Sequence, residues 1–411
     1  MPPEIHARLS ASSSKRWINC QKSVALCEKL PDEDSDYATE GTIAHALAEK
    51  LLRIYQSTGS TKFKKGDICK VSQPDEATGE MKDIRTDQEM RDAIQEYVDA
   101  VSGDFEALKL KDPAARLLIE QKVNFDHWVP NGFGTSDAVI IASGVCHVFD
   151  LKYGKGVVVD GRNNSQLRLY ALGVYEELNW EADITSFETH IVQPRLHWRS
   201  GESLTKEELL TWGESIKPLA KMADEGQGEF KPGEWCRSGF CPARDLCKHR
   251  AEWVLSKMLE AVRSSESDEL DPNLMGARAL GEFAKASEPF SAMASDVRNH
   301  LLTDLVNGVA HPGWKAVAGR TSRDWDDPLA LKKALQEAKY LVRDITEEPS
   351  LLSPSKMGKA IKKEDFKTIC QPHVIVDQGK PQLAPEDDPR EPYKPVSAAE
   401  DFKDLLKKEA Q

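Results

Sequence analysis

Two short runs, Gly134-Thr135-Ser136-Asp137 and Phe149-Asp150-Leu151-Lys152, decide how this chain folds. The β-branched residues around them predict strands over 117–125, 134–141 and 145–151, separated by Gly and Pro signals and joined as a meander. If the last two strands form a hairpin, Asp137 and Asp150 converge at one end of it. Two-residue alternation then sends Asp150 and Lys152 to the same face. Two carboxylates, with waters and a phosphate oxygen, make the oxygen-rich shell that Mg²⁺ or Mn²⁺ prefers. A lysine two residues after the second acid can orient a water or offset charge building on a phosphate. Taken alone, Asp-x-Lys also fits a surface ion pair on an exposed strand.

Outward from this pair, helical spacing runs over 12–28 and 37–53, the latter carrying Ile43, Leu47 and Leu51. A polar segment, 56–83, reads as a loop before a helix over 87–101. Downstream come a helix over 163–177, a strand over 186–193 and a helix over 205–224. Helix, sheet, helix, strand predicts an α/β fold with a central mixed sheet flanked by helices. A cysteine-rich loop at 235–247 precedes helices over 250–262 and 275–306, and the polar run near 265 closes a core domain of residues 1–265. Residues 266–379 read as a helical accessory domain, with a small hairpin at 310–324 and a helix at 327–338. Residues 380–411 read as a Pro-rich acidic linker and a short terminal helix.

Composition limits the function classes. A chain of 411 residues, 40% of them hydrophobic, can bury more than one core. No apolar run reaches the roughly 18 to 20 residues of a membrane span, and the N-terminus lacks secretory features, so a cytoplasmic location without membrane partners is expected. Eight cysteines are too sparse for a disulfide scaffold. The net charge of −13 argues against nonspecific coating of nucleic acid, but leaves room for a local basic groove.

Two further features flank the acids. Glu40-Gly-Thr-Ile-Ala-His45 opens a helix whose histidine can face the same cleft, or simply pack. Gln166-x-x-x-Tyr170 puts two polar side chains one helical turn apart, although Tyr170 also fits a core aromatic. The ordered set His45, Gly134-x-x-Asp137, Asp150-x-Lys152 and Gln166-x-x-x-Tyr170 resembles the RecB-type branch of the PD-(D/E)XK nucleases, over about residues 10–250. That resemblance implies a restriction-endonuclease-like core and a metal held by His45, Asp137, Asp150 and the carbonyl of Leu151. It also implies catalysis by Asp137, Asp150 and Lys152, and DNA positioned by Gln166 and Tyr170. The second acid is Asp150 where many relatives carry Glu.

Cys236-x4-Cys241-Pro-x4-Cys247 groups three thiols in a Gly- and Pro-bearing loop, with Cys20 the natural fourth. Four thiolates suit either a [4Fe–4S] cluster or tetrahedral zinc. The iron–sulfur members of the RecB-type family order their cysteines similarly, one before and three after the nuclease motifs, which implies iron–sulfur and a clamp between the two ends of the core. That clamp should also steady the His45 helix. His249 is a substitute ligand or a phosphate contact, whereas Cys27, Cys69, Cys146 and Cys370 read as ordinary core or surface residues.

Near the C-terminus, Trp314, Arg320, Arg323 and Trp325 mix charge with aromatic faces, as a surface holding a single strand does, or else form a packed hairpin. The whole chain is similar to phage and prophage proteins of poorly described function that carry a RecB-type core. This implies an exonuclease acting on DNA with single strands or free ends, in a bacterial host, beside a recombination partner such as a single-strand annealing protein. The rivals are an endonuclease of the same chemistry and a catalytically silent DNA-binding or assembly protein.

Overall fold

Alternating apolar residues build one mixed sheet of five strands, and helices cover both of its faces. The computed structural model describes residues 7–30, 36–62, 70–74, 81–263, 275–347, 350–385 and 388–393. Its chain divides into two units, Met1–Pro289 and Phe290–Gln411.

The first unit opens with Ser14–Asn19 (α1) and Ser23–Cys27 (α2). One helix over 12–28 is expected, but the backbone leaves helical geometry at Cys20 (φ −140°, ψ 83°) and turns that thiol inward. Asp36–Thr58 (α3) follows. The segment expected as a loop instead contains an antiparallel ribbon, Lys70–Pro74 (β1) and Met81–Arg85 (β2). Gln88–Lys109 (α4) starts where the Asp87 carboxylate accepts the Met90 N–H at 2.7 Å, satisfying one orphan donor of the first turn.

The expected meander is Arg116–Asn124 (β3), Phe133–Ala142 (β4) and Val145–Leu151 (β5). Ser165–Ala182 (α5) then crosses over to Ser186–Gln193 (β6), which lies parallel to β5. The sheet ends on an unforeseen strand, Trp198–Thr205 (β7), antiparallel to β6, so that the order is β3-β4-β5-β6-β7. Lys206–Asp224 (α6) begins with a reciprocal cap between Thr205 and Glu208. Leu167, Leu172, Val148 and Phe187 pack with Trp17 on one face of the sheet. On the other, Leu47, Ile94, Tyr97 and Phe149 join α3 and α4 to the strands. Trp235–Ser238 (α7), Lys248–Arg263 (α8) and Ala277–Val306 (α9) follow, the division between units falling within α9.

In the second unit, Trp314–Trp325 (β8) is one long strand rather than a local hairpin. Pro328–Glu337 (α10), Val342–Ile345 (α11), the short strands Thr346–Glu347 (β9) and Ser350–Leu351 (β10), and Pro354–Ala360 (α12) come next. Val374–Pro385 (β11) then pairs with β8 and runs into the segment expected to be a linker. The expected helix at 398–408 lies outside the described residues.

Candidate metal centre

Pairing register places the acids. The β4–β5 ladder ends at Ala138 opposite Phe149, so the next positions in register are Asp137 and Asp150. Ile119 pairs with Ala138, and the same count puts Glu120 opposite Asp137. Three carboxylates therefore lie abreast on three neighbouring strands. Glu120 adopts a left-handed backbone (φ 50°), which costs a non-glycine residue energy and interrupts the ladder there. Sequence reasoning missed Glu120. A charge following Leu117 and Ile119 on the strand beside Asp137 is the signal that marks it.

His45 reaches across from α3, its Nδ1 3.1 Å from Asp137 Oδ1. The Leu151 N–H donates to Asp137 Oδ2 at 2.6 Å. His45, Glu120 and Asp137 bring their ligand atoms within 4.8 Å of one another. Burial favours the neutral form of Asp137, but the His45 charge and hydrogen bond, with the Leu151 N–H, outweigh it and hold that carboxyl below its usual range. The Asp137 charge in turn raises His45 to about 9. Asp150 is 2% exposed, and its pKa is pushed up by burial, with neighbouring Asp137 adding to the shift.

Asp150 is held by two residues. Lys152 Nζ lies 2.9 Å from its Oδ2, and Gln166 Nε2 donates to its Oδ1 at 2.8 Å. Lys152 Nζ also donates to Gln166 Oε1 at 2.9 Å, and Gln166 Nε2 lies 3.2 Å from the Tyr170 hydroxyl. Gln166 sits in the first turn of α5, which Asn164 caps by accepting the N–H groups of Gln166 and Leu167. Gly134 has a local reason: a Cβ there would approach the Tyr170 ring to 2.9 Å. From the opposite face, Tyr97 buries its hydroxyl with no hydrogen-bond partner among the described residues, within electrostatic reach of Asp137, Asp150 and Glu120. An orphaned donor beside three acids fits a centre built around a cation with its own water.

A second group, Asp104, His147 and His190, also gathers ligand atoms within 4.8 Å. Here the Arg199 guanidinium pairs with Asp104 and lies 3.4 Å from His190 Nδ1, already supplying the positive charge.

The break at Cys20 and the loop around α7 bring Cys20, Cys236, Cys241 and Cys247 to the lining of one pocket. Phe230, stacked 4.3 Å from His249, lines it as well. Among the described residues, no three of these thiols lie within 4.8 Å of one another. Cys27 is nearer than its sequence position suggests, with its Sγ 3.9 Å from that of Cys241.

In the second unit Trp325 is buried, donates its indole N–H to the Leu352 carbonyl at 2.8 Å and packs with Leu331 and Met357. The expected stacking role is therefore replaced by a packing role. Trp314 is partly exposed, whereas the side chains of Arg320 and Arg323 lie outside the described residues. Among the described residues, no helix is long and apolar enough to cross a membrane.

The family model described as "Protein of unknown function (DUF2800)" matches residues 6–391, and the chain belongs to that family. Among solved structures, a protein from Eubacterium rectale named as a candidate exonuclease is 15% identical, over 58% of this chain and 89% of that one, with a TM-score of 0.29. A protein named SSO0001 is 14% identical, over 57% and 96% respectively, with a TM-score of 0.18. Similarity at this level carries no information about the chemistry of this chain.

Proposed function

We propose that this member of the family is a metal-dependent DNA nuclease of the RecB-type PD-(D/E)XK class, an exonuclease processing DNA ends in phage or prophage recombination. One observation carries the reading: Glu120, Asp137 and Asp150 stand abreast on β3, β4 and β5, flanked by His45 and Lys152. Like charges on directly opposed strand positions repel. A row of them is retained where a cation belongs. His45, Glu120, Asp137, Asp150 and the Leu151 carbonyl would hold Mg²⁺ or Mn²⁺, which supplies Lewis acidity and an acidified water for phosphodiester hydrolysis.

The protein's own groups do the positioning. Gln166 ties Asp150 to Lys152, so the ammonium is held where it can orient an attacking water and meet charge developing on a phosphate. Tyr170, expected to position DNA, is buried against Gly134 and braces Gln166 through its hydroxyl. The four cysteines form a second, structural centre. All four line one pocket, and four thiolates there suit the [4Fe–4S] cluster that the family resemblance implies.

The test is incubation of end-labelled linear DNA, single- and double-stranded, and of covalently closed circles with Mg²⁺ or Mn²⁺. Release from ends without cutting of circles is the expected outcome, and cut circles would favour an endonuclease. Asp150→Asn should reduce the rate about a thousandfold or more while leaving the melting temperature of the metal-free protein at or above wild type. Wild-type rates in that variant would remove the site from consideration.

A further inference from the structure

Arg16 buries a charge that no carboxylate balances among the described residues. It stands in α1, four residues before Cys20, and is 9% exposed. Its Nε–H has no hydrogen-bond partner among the described residues, and Nη1 makes only long contacts with the Ser23 carbonyl at 3.3 Å and hydroxyl at 3.4 Å. A guanidinium stays ionised at any working pH, so it cannot escape the cost of burial by losing a proton. That cost is large for an unpaired charge and is offset only where an anion lies beside it.

The surroundings identify the anion. Arg16 lines the pocket of Cys20, Cys236, Cys241 and Cys247, whose lining also holds Arg244 and no Asp or Glu. Gly239, between Cys236 and Cys241, packs so tightly there that a Cβ would fall 3.1 Å from that of Arg16. The Cys27 and Cys241 thiols lie within electrostatic reach of the guanidinium. Protonated thiols offer it no counter-charge, whereas four thiolates around a [4Fe–4S]²⁺ core leave a net charge of about −2. Trp235 and Phe230 wall the pocket with apolar surface, which strengthens any attraction inside it. We propose that Arg16 is the counter-cation of the cysteine-held cluster, its unpaired N–H donating to a cluster or cysteinyl sulfur, so that α1 is held to the Cys236–Cys247 segment by charge as well as by Cys20. This rests on the four-cysteine reading above and adds to it a residue that is not a ligand.

The experiment uses the full chain, purified anaerobically, stripped by a chelator in the presence of dithiothreitol, and reconstituted with ferrous iron and sulfide. Arg16→Met keeps much of the side-chain bulk without the charge. Stripped, it should melt at or above wild type, because an unpaired buried charge has gone. Reconstituted, it should lose its cluster absorbance about tenfold faster than wild type under excess EDTA. Arg16→Lys should keep most of the wild-type lifetime and Arg16→Gln should not, because the charge rather than a hydrogen bond decides. Equal cluster lifetimes in wild type and Arg16→Met, or a glutamine variant as durable as the lysine one, overturn the assignment. Equal falls in the melting temperature of Arg16→Met with and without the cluster do so as well, since they make Arg16 a packing residue. A wild-type protein that takes up no iron and sulfide removes the cluster reading itself, and this inference with it.

Discussion

At Tyr97 the interior carries a cost that a water or a hydrated cation would offset. Its hydroxyl is buried without a partner among the described residues, and an unsatisfied buried polar group costs about 1 to 3 kcal/mol. Tyr97→Phe should therefore stabilise the metal-free protein, by about 1 kcal/mol, while reducing the stabilisation that Mn²⁺ adds. Glu120→Gln should act in the same two directions, more strongly on metal: it relieves repulsion beside Asp137 and removes one charged ligand, lowering Mn²⁺ affinity by about tenfold or more. Thermal melts of both variants with EDTA and with graded Mn²⁺ read each effect separately. An unchanged Mn²⁺-induced shift in Glu120→Gln would exclude that residue from the centre. Asp137, Asp150, Lys152 and Gln166 are legible in the sequence because strand alternation and helical spacing place them with little help from the rest of the fold. Glu120 is not, because its membership depends on inter-strand register and on a backbone turn that no short motif announces.

Elements differ in legibility for physical reasons. The meander and α5 follow from local apolar periodicity. β7, Trp-Arg-Ser-Gly-Glu-Ser-Leu-Thr, is an edge strand with little apolar alternation, stabilised mainly by pairing with β6. The β8–β11 ribbon joins segments separated by about fifty residues, and local reasoning folds Trp314–Trp325 back on itself instead. The β5–β6 pair also stores an acid sensitivity. His147 and His190 stack beneath α4 with their nearest ring nitrogens 3.3 Å apart, faced by Asp104, Glu188 and Arg199. Burial, Arg199 and His147 lower His190 to about 3. Because unfolded histidine takes up its proton near pH 6.5, the unfolded chain binds more protons between about pH 6.5 and 3. The stability contributed by neutral His190 is complete above that window and is lost as pH falls through it. Urea melts at pH 7.5 and 5 should show a smaller acid loss in His190→Phe than in wild type, and equal losses would refute the assignment.

Across the first unit, the cysteine pocket and the carboxylates are joined by a short mechanical path. Cys20 ends α1, which packs against α2, α5, α6 and α7, so the cluster's influence should reach α5 as well as the His45 helix. Ser14 Oγ, in the first turn of α1, lies 2.7 Å from Ser165 Oγ, in the first turn of α5. The next residue is Gln166, which holds Asp150 and Lys152. In the metal-free state burial raises the Cys20 and Cys236 thiols, and Cys27 with burial raises Cys241, so each stays protonated until a metal supplies compensating charge. A cluster would thus tie α1 to the Cys236–Cys247 segment across more than two hundred residues of chain, a long closure whose loss frees both ends. Cys20→Ser should yield anaerobically purified protein without brown colour, with a melting temperature lower by about 5 to 10 °C, and with early proteolytic cleavage before α2. Its DNA hydrolysis should fall as well, through weaker Asp150–Gln166–Lys152 geometry rather than loss of a ligand, so Mn²⁺ affinity should change less than kcat. Ser14→Ala, which leaves the cysteines intact, should keep the colour and lower kcat to a smaller degree. Retained colour and stability in Cys20→Ser would exclude Cys20 as a ligand. Full kcat in a colourless Cys20→Ser protein would disconnect the two centres.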